Sequence, residues 1–272
     1  MSIKKTRLSI ILFILVISGC GSVKETTSVW KDNEIKIDGD ISDWQNALIS
    51  IPDKKFAVGF KNDDKFLYIS LITDDRMKIM QMLREGFITW VTPNEGDGKT
   101  FGVKFPLSNK DMEGEQLQSM NREPFQRDNR DNMEKQFVRL LNRQNELEII
   151  NKDKFPLSLM PLENKEGIKV KLGYTANNFV YELQIPLTTG ENYSFPVNAA
   201  PGGKVSIRFE TEKMDLENSR GAMREGGAAP RSGGQMPGGQ RGAGRMGQGM
   251  PGLQNSEPIN YSFDVILQLP AK

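Results

Sequence analysis

The sequence contains no histidine, and Cys20 is its only cysteine among 272 residues. Without histidine, nucleophilic catalysis by a Ser-His or Cys-His pair is excluded, and so are zinc sites of the usual His/Cys type. A lone cysteine also excludes a disulfide within the chain. None of the 35 acidic residues stands in a motif that marks it as half of a glycosidase carboxylate pair. The sequence therefore predicts a protein that is not an enzyme and that holds no cofactor and no metal.

An unbroken apolar run at residues 8–17 follows the basic residues Lys4, Lys5 and Arg7. The charged start, the short apolar core and the small residues after it are typical of a secretory signal. The run is too short to cross a bilayer as a stop-transfer helix. Residues 1–19 are therefore predicted to be a signal peptide.

The end of that run, residues 16–20 (Val-Ile-Ser-Gly-Cys), resembles the bacterial lipobox. In a lipobox, an apolar residue and two small residues precede the cysteine that receives a diacylglyceryl group, and the chain is cleaved in front of that cysteine. The resemblance implies that Cys20 is a lipid anchor carrying fatty acids such as palmitate. The protein would then be held in the bacterial cell envelope, at the outer membrane or the cell surface.

Cleavage before Cys20 would remove three basic residues and no acidic one, which lowers the net charge from +1 to about −2. A chain so close to neutral argues against nucleic acid as a partner. Residues 20–33 are polar and lack a helical or strand period, so they are predicted to be a flexible tether. The sequence leaves the oligomeric state open.

From residue 34 onward the pattern favours strands, because runs rich in aromatic and β-branched residues alternate with turn residues. The fold class predicted is all-β: one antiparallel β-sandwich of immunoglobulin or jelly-roll type, covering residues 34–272. One short helix is predicted at 76–84, where methionine and leucine recur at three-residue spacing. The predicted strands are 56–60, 66–72, 86–91, 99–106, 147–150, 168–174, 179–185, 204–212 and 259–269.

Two excursions interrupt this pattern. Residues 109–146 form a charged insertion, and Phe137, Leu140 and Leu141 have the spacing of an amphipathic helix in its second half. Residues 216–256 are rich in Gly, Arg, Met, Gln and Pro and have too little apolar surface to fold alone, so this segment is predicted to be a disordered loop. The alternating strand after it predicts that the loop lies within the domain.

Two segments resemble the family 9 carbohydrate-binding modules and their DOMON-like relatives. Residues 37–44 (Ile-Asp-Gly-Asp-Ile-Ser-Asp-Trp) match the opening signature of the family, and residues 179–187 contain its Tyr-x-x-Glu-x-x-Ile-Pro-Leu-like strand. The resemblance implies a β-sandwich and suggests that Glu182 has a structural role. Asp38, Asp40 and Asp43 lie within the first segment, where they are interpreted as turn-forming acids rather than a calcium site.

The resemblance also implies a binding function, most directly for carbohydrate. Aromatic rings such as Trp90 or Trp44 would stack on sugar rings while nearby Asp and Asn bind the hydroxyls. Burial statistics favour another interpretation of Trp44, in which it is a core anchor beside the Asp38-Gly39 turn. Two alternatives remain open at this point. Some DOMON-like relatives bind haem through Met together with His or Lys, and an assembly lipoprotein could use the charged insertion and the basic loop to bind a protein partner.

Overall fold

The computed structural model describes residues 23–94, 100–108, 135, 137–139, 141–151, 158–175, 177–190, 193–211 and 258–270. Within them, two β-sheets pack face to face, and the helix α1 (Arg76–Glu85) connects one sheet to the other. The prediction of an all-β sandwich is confirmed. The strands are β1 (Lys24–Thr27), β2 (Val29–Trp30), β3 (Leu48–Ile51), β4 (Phe56–Asn62), β5 (Phe66–Thr73), β6 (Phe87–Pro93), β7 (Phe101–Lys104), β8 (Glu146–Asn151), β9 (Ser158–Pro161), β10 (Lys169–Thr175), β11 (Asn178–Pro186), β12 (Lys204–Thr211) and β13 (Asn260–Ile266).

The strands form two sheets of different width. Sheet A has the order β1-β13-β12-β6-β7-β8-β9, and sheet B has the order β10-β11-β5-β4-β2, with β3 also paired to β4. All pairs are antiparallel except β1 with β13 and β2 with β4. The last strand therefore lies in the interior of sheet A, which agrees with the prediction that the chain closes the domain with residues 259–269.

The core between the sheets is aromatic. Because side chains alternate between the two faces of a strand, each strand sends every second residue inward. Phe87 packs edge-on against Tyr181 with ring centroids 5.1 Å apart, and Phe209 stacks on Phe87 at 5.8 Å. Each large side chain buried in this way stabilises the fold by about 1.5–3 kcal/mol. This shared aromatic layer joins sheet A to sheet B.

The helix α1 begins where the sequence places it. Asp75 is its N-cap, and the carboxylate of Asp75 accepts hydrogen bonds from the backbone N–H groups of Met77 and Lys78. Met80 and Leu83 are buried, whereas Met77 remains exposed. Two strands after residue 34 were not predicted: β3, which is only four residues long, and β9, which ends in a proline. Short strands carry too little alternation to be recognised in sequence.

The segment expected to be a flexible tether, residues 20–33, forms two strands over much of its length. β1 pairs in parallel with β13, and β2 pairs in parallel with β4. This part of the chain therefore crosses from the edge of sheet A to the edge of sheet B. Its polar composition reflects an edge position, because an edge strand keeps most of its side chains in water. The ordered domain begins before residue 34.

A buried amide holds this crossing in place. Asn62 is fully buried, and its side-chain oxygen accepts hydrogen bonds from the Ser28 hydroxyl at 2.5 Å and from the Gln268 N–H at 3.0 Å. The amide nitrogen of Asn62 donates to the carbonyls of Asp63 and Gln268, both at 3.1 Å. One side chain thus joins the first strands, the end of β4 and the segment after β13.

The strand predicted at 99–106 differs from expectation in its environment. Polar and apolar residues alternate at 99–106, which predicts a strand with one face in water, but every residue of β7 is buried. On the outward face, Lys104 lies beside Glu148 of β8, with Nζ 3.7 Å from the carboxylate. Burying an unpaired charge is energetically costly, so a charged side chain is buried only when an opposite charge pairs with it. The outer face of sheet A is therefore partly covered at this position.

Three predicted features lie mostly or wholly outside the described residues: the signal peptide with Cys20, the insertion 109–146 and the loop 216–256. In the described part of the insertion, residues 135, 137–139 and 141 are helical. There Phe137 stacks on Tyr174 with ring centroids 4.6 Å apart. No helix within the described residues is long and apolar enough to span a membrane.

We expect a protein that begins at residue 34 to be less stable than one that begins at residue 23. The shorter chain lacks β1, β2 and the Ser28 hydroxyl, which leaves the buried Asn62 oxygen short of a donor at a cost of about 1–3 kcal/mol. For a domain of this size, each kcal/mol lowers the melting temperature by about 2–4 °C. Thermal unfolding of the two proteins measures the difference.

The substitution Ser28→Ala in the longer protein is the matched control, because it removes the hydroxyl and keeps both strands. Ser28→Ala should lower the melting temperature, but by less than starting the chain at residue 34 does. Equal melting temperatures for the proteins that begin at 23 and 34 would contradict this account of the N-terminal strands.

Candidate functional site

The Asp-Gly turn at residues 38–39 lies on the outer face of sheet B, where Glu182 of β11 holds it. The Glu182 side chain is 0% exposed. Its Oε2 atom accepts hydrogen bonds from the backbone N–H groups of Asp38 at 2.9 Å and Gly39 at 2.5 Å. Its Oε1 atom accepts from the indole N–H of Trp44 at 2.6 Å. One carboxylate therefore joins both ends of the segment 37–44 to the sheet.

Two glycines allow this close approach. Gly39 has a φ of +85°, a conformation that favours glycine. Gly173, on the outer face of β10, lies directly under it, and a Cβ atom at Gly173 would collide with the Gly39 carbonyl. A third glycine, Gly59, lies under the Trp44 ring, where a Cβ would come within 2.7 Å of the ring. The backbone here is shaped around the turn and the tryptophan.

Trp44, one of the two tryptophans proposed to stack on a ligand, is part of the interior. It is 0% exposed and packs in a small cluster with Ile35, Ala47 and Tyr68. Its N–H is bonded to Glu182, so the ring presents neither a face nor its polar edge to a ligand. The physical reason is that the segment 35–47 folds back over sheet B and turns this ring inward. Trp44 is thus a structural anchor in this fold.

The acids of the same segment bind the backbone of their own turn. Asp38 accepts from the N–H of Asp40 at 3.0 Å, Asp40 from the N–H of Ser42 at 2.7 Å, and Asp43 from the N–H of Lys36 at 2.9 Å. Such bonds stabilise tight turns. No group of three or more potential ligands for a metal ion occurs within the described residues.

The environment of Glu182 changes its acidity. Burial raises the pKa of Glu182 from 4.5 to about 7, and the nearby charge of Asp38 acts in the same direction. The N–H donors from Trp44, Gly39 and Asp38 favour the ionised form and limit the rise. The carboxylate is thus held by directed hydrogen bonds in a site that otherwise disfavours its charge.

Trp90, the other tryptophan proposed as a ligand contact, lies on the outer face of sheet A. It is 7% exposed, and its indole N–H donates to Glu210 at 2.8 Å. The register places Trp90 between Arg208 of β12 and Gly102 of β7. The Arg208 guanidinium lies 5.6 Å from the ring centroid, within range of a cation–π interaction. Gly102 leaves room for the ring on the other side.

Polar side chains continue this outward surface across β12 and β13. The Ser206 hydroxyl lies 2.6 Å from the Asp264 carboxylate and 2.9 Å from the Asn94 amide oxygen. Hydrogen bonds from Ser206 and then Lys204 lower the pKa of Asp264, so it is ionised at neutral pH. We call this surface the Trp90 face; its members are Trp90, Asn94, Ser206, Arg208, Glu210 and Asp264.

One donor on the Trp90 face has no acceptor among the described residues. The Nε atom of Arg208 is buried and makes no hydrogen bond, although Nη2 of the same group lies 3.3 Å from Glu210. A buried donor without a partner costs about 1–3 kcal/mol. A ligand oxygen that reached Nε would therefore recover part of that free energy.

Sequence reasoning proposed Trp90 as a ligand contact but did not name its neighbours on the face. The sequence predicted a strand at 204–212, which is where Ser206, Arg208 and Glu210 lie. That pattern could not show which strand would lie alongside. Trp90 and Glu210 are 120 residues apart in the chain, and only the pairing of β6 with β12 brings them together.

No protein-family model and no curated protein matches the chain. Several solved structures are similar to it, among them two carbohydrate-binding modules. One is a family 9 carbohydrate-binding module from Caldicellulosiruptor kristjanssonii in complex with glucose, with 11% identity, a TM-score of 0.33, and coverage of 71% of this chain and 81% of that one. The other is a family 9 module from the same organism in complex with cellotriose, with 11% identity, a TM-score of 0.34, and coverage of 71% and 79%. At such values neither likeness carries an argument about a ligand.

We expect Glu182 to make the stability of the domain depend on pH. Its folded pKa of about 7 lies above the ordinary 4.5, so the folded state binds the proton more tightly. The stabilising contribution is complete below pH 4.5 and is lost as the pH rises through 7. One pKa unit corresponds to about 1.4 kcal/mol, which makes the loss about 3 kcal/mol. Urea unfolding across this pH range measures it.

The reference is Glu182→Gln, which is destabilised at every pH because an amide nitrogen cannot accept the turn's N–H bonds. The difference in unfolding free energy between wild type and this variant should shrink as the pH rises. The same substitution at the exposed Glu34 should leave the wild-type profile unchanged. Parallel pH profiles for wild type and Glu182→Gln would contradict the assignment.

Proposed function

We propose that the mature protein is a non-catalytic, lipid-anchored protein of the bacterial cell envelope that binds carbohydrate on the Trp90 face. The observation that carries the binding proposal is the combination on this face of an indole, a guanidinium with an unpartnered donor and two carboxylates. Polar groups placed around an apolar ring are the usual means by which a site fixes the orientation of a polyhydroxylated ligand.

Each group on the face has a role that suits a sugar. The carboxylates of Glu210 and Asp264 accept hydrogen bonds from hydroxyl groups, and the Arg208 guanidinium donates to hydroxyl oxygens. The Arg208 side chain is 39% exposed, so it can move away from the indole of Trp90. A sugar ring can then contact that indole directly. Ser206 and Asn94 extend the polar surface beside it.

The outer face of sheet B is less suited to a ligand. The segment 35–47 covers it, and Trp44 and Tyr68 are buried beneath that segment. A ligand there would have to displace the turn from Glu182 and break three hydrogen bonds. This contrast supports the assignment of the binding surface to sheet A.

The anchor proposal is supported by the sequence around Cys20. Residues 16–20 resemble a lipobox, and the apolar run at 8–17 suits an export signal. A diacylglyceryl group with a further acyl chain supplies the two hydrophobic signals that stable membrane anchoring needs. The proposal places the sandwich outside the cytoplasm, at the outer membrane or the cell surface, where glycans are abundant.

We expect Trp90→Ala and Arg208→Ala each to weaken glycan binding about tenfold, which corresponds to about 1.4 kcal/mol. A glycan array on the anchor-free variant Cys20→Ser would identify the ligand, starting from glucose and cello-oligosaccharides, and calorimetry would then measure the affinity. Each variant is compared with wild type by thermal unfolding, so that loss of binding is separated from loss of fold.

Two controls lie away from the face. Lys171→Ala removes an exposed cation from the outer side of sheet B, and Trp44→Phe removes a buried indole. Both should keep the wild-type affinity, although Trp44→Phe should unfold at a lower temperature. If the array shows no ligand, or if Lys171→Ala weakens binding as much as Arg208→Ala, the proposed binding face is refuted.

We expect Cys20→Ala to abolish lipidation and release the protein from membranes. The thioether to the diacylglyceryl group can form only at this residue, because the chain has no other cysteine. Labelled palmitate incorporation and membrane fractionation of cells that express each form measure the effect. A Cys20→Ala protein that still incorporated palmitate and sedimented with membranes would disprove the anchor.

A further inference from the structure

We propose that the domain stands with one particular end against the membrane and that this end contacts anionic lipid headgroups. We call it the Tyr261 end; it consists of Lys54, Met77, Lys78 and Tyr261. The inference rests on the proposed lipid anchor at Cys20 and adds to it the orientation of the domain and the surface that meets the bilayer.

The direction of β1 decides which end faces the anchor. β1 runs parallel to β13 with Lys24 opposite Phe263 and Thr27 opposite Ile266. The chain therefore enters β1 from the side on which β13 starts, which is where Tyr261 lies. Cys20 precedes Lys24 by four residues, which span at most about 14 Å when fully extended. A lipid on Cys20 thus holds this end of the sandwich within the reach of the headgroup layer.

The side chains at this end suit a membrane surface. The Nζ atoms of Lys54 and Lys78 lie 5.8 and 5.5 Å from the centroid of the Tyr261 ring, and Lys78 donates to the Tyr261 hydroxyl at 3.1 Å. Neither lysine forms an ion pair with a carboxylate of the described residues. Met77, next in the chain to Lys78, is 37% exposed. Lysine, tyrosine and an exposed apolar residue together match a headgroup boundary.

The acidic groups at this end weaken the attraction of the lysines to anionic headgroups without removing it. Asp75 is already engaged, since it caps α1 and its carboxylate lies 3.3 Å from Lys55. Asp53 and Asp74 are exposed nearby. The lysines therefore select anionic headgroups locally, while the acyl chains supply most of the membrane affinity. In this orientation the Trp90 face lies on the side of the standing domain, open to a ligand.

Hydrogen exchange on the full mature protein tests the orientation. The acylated protein is reconstituted into vesicles of phosphatidylglycerol with phosphatidylcholine, and into vesicles of phosphatidylcholine alone. On the anionic vesicles, amides of residues 52–56 and 76–80 should exchange at least about threefold more slowly than in detergent-free, unacylated protein. Residues 198–203, at the opposite end, should exchange at an unchanged rate.

The double variant Lys54→Ala/Lys78→Ala should lose the protection that anionic vesicles give beyond vesicles of phosphatidylcholine alone. The matched control Lys169→Ala/Lys171→Ala removes two exposed lysines of β10 and should keep it. Protection at 198–203 would overturn the orientation. If the Lys54→Ala/Lys78→Ala variant is protected on anionic vesicles as strongly as the wild type, the role of the lysines is refuted.

A second preparation separates this inference from the anchor. The unacylated chain from Cys20 onward is coupled through the Cys20 thiol to a maleimide lipid in the same vesicles. If mass spectrometry finds no acyl group on the cellular protein but the coupled protein shows the expected protection, the anchor is refuted and the orientation stands. If the coupled protein shows no protection at the Tyr261 end, the orientation is refuted whether or not the cellular protein is acylated.

Discussion

The buried carboxylate of Glu182 is the interaction on which the N-terminal half of the domain depends. Its two oxygens bind the backbone N–H groups of Asp38 and Gly39 and the indole N–H of Trp44. Those three donors all belong to the segment 37–44, which also packs on sheet B through Trp44 and Tyr68. Because a buried charge is tolerated only when it is hydrogen-bonded, the turn and the carboxylate require each other. Removal of either partner leaves the other unsatisfied.

This arrangement also determines which outer face the segment 35–47 covers. The turn, Trp44 and the residues around them occupy the outer face of sheet B, so the protein itself covers that face. Sheet A has no such cover from the same segment, and its outer side carries Trp90 with Arg208 and Glu210. Two tryptophans of similar chemistry thus have different environments, because a carboxylate holds one in the interior and strand register places the other on the outer face of sheet A beneath Arg208.

The first strands connect the fold to its proposed anchor. Since β1 starts at Lys24 and Asn62 holds the crossing between the sheets, few residues remain between Cys20 and the ordered domain. A domain on so short a connection has a restricted set of orientations. The proposed orientation places the Tyr261 end against the membrane and the Trp90 face to the side. The anchor, the orientation and the binding face can each be tested separately.

The sequence by itself determined the fold class, most strands and the helix, because strand patterns and helical spacing are local properties. It missed β1, β2, β3 and β9, which are too short or too polar to show a period. Tertiary structure alone decided that Trp44 is interior and Trp90 outward, and that Arg208 lies beside Trp90. Alternation shows that a strand has two faces, but the face that meets the core depends on which distant strands pair and in what register.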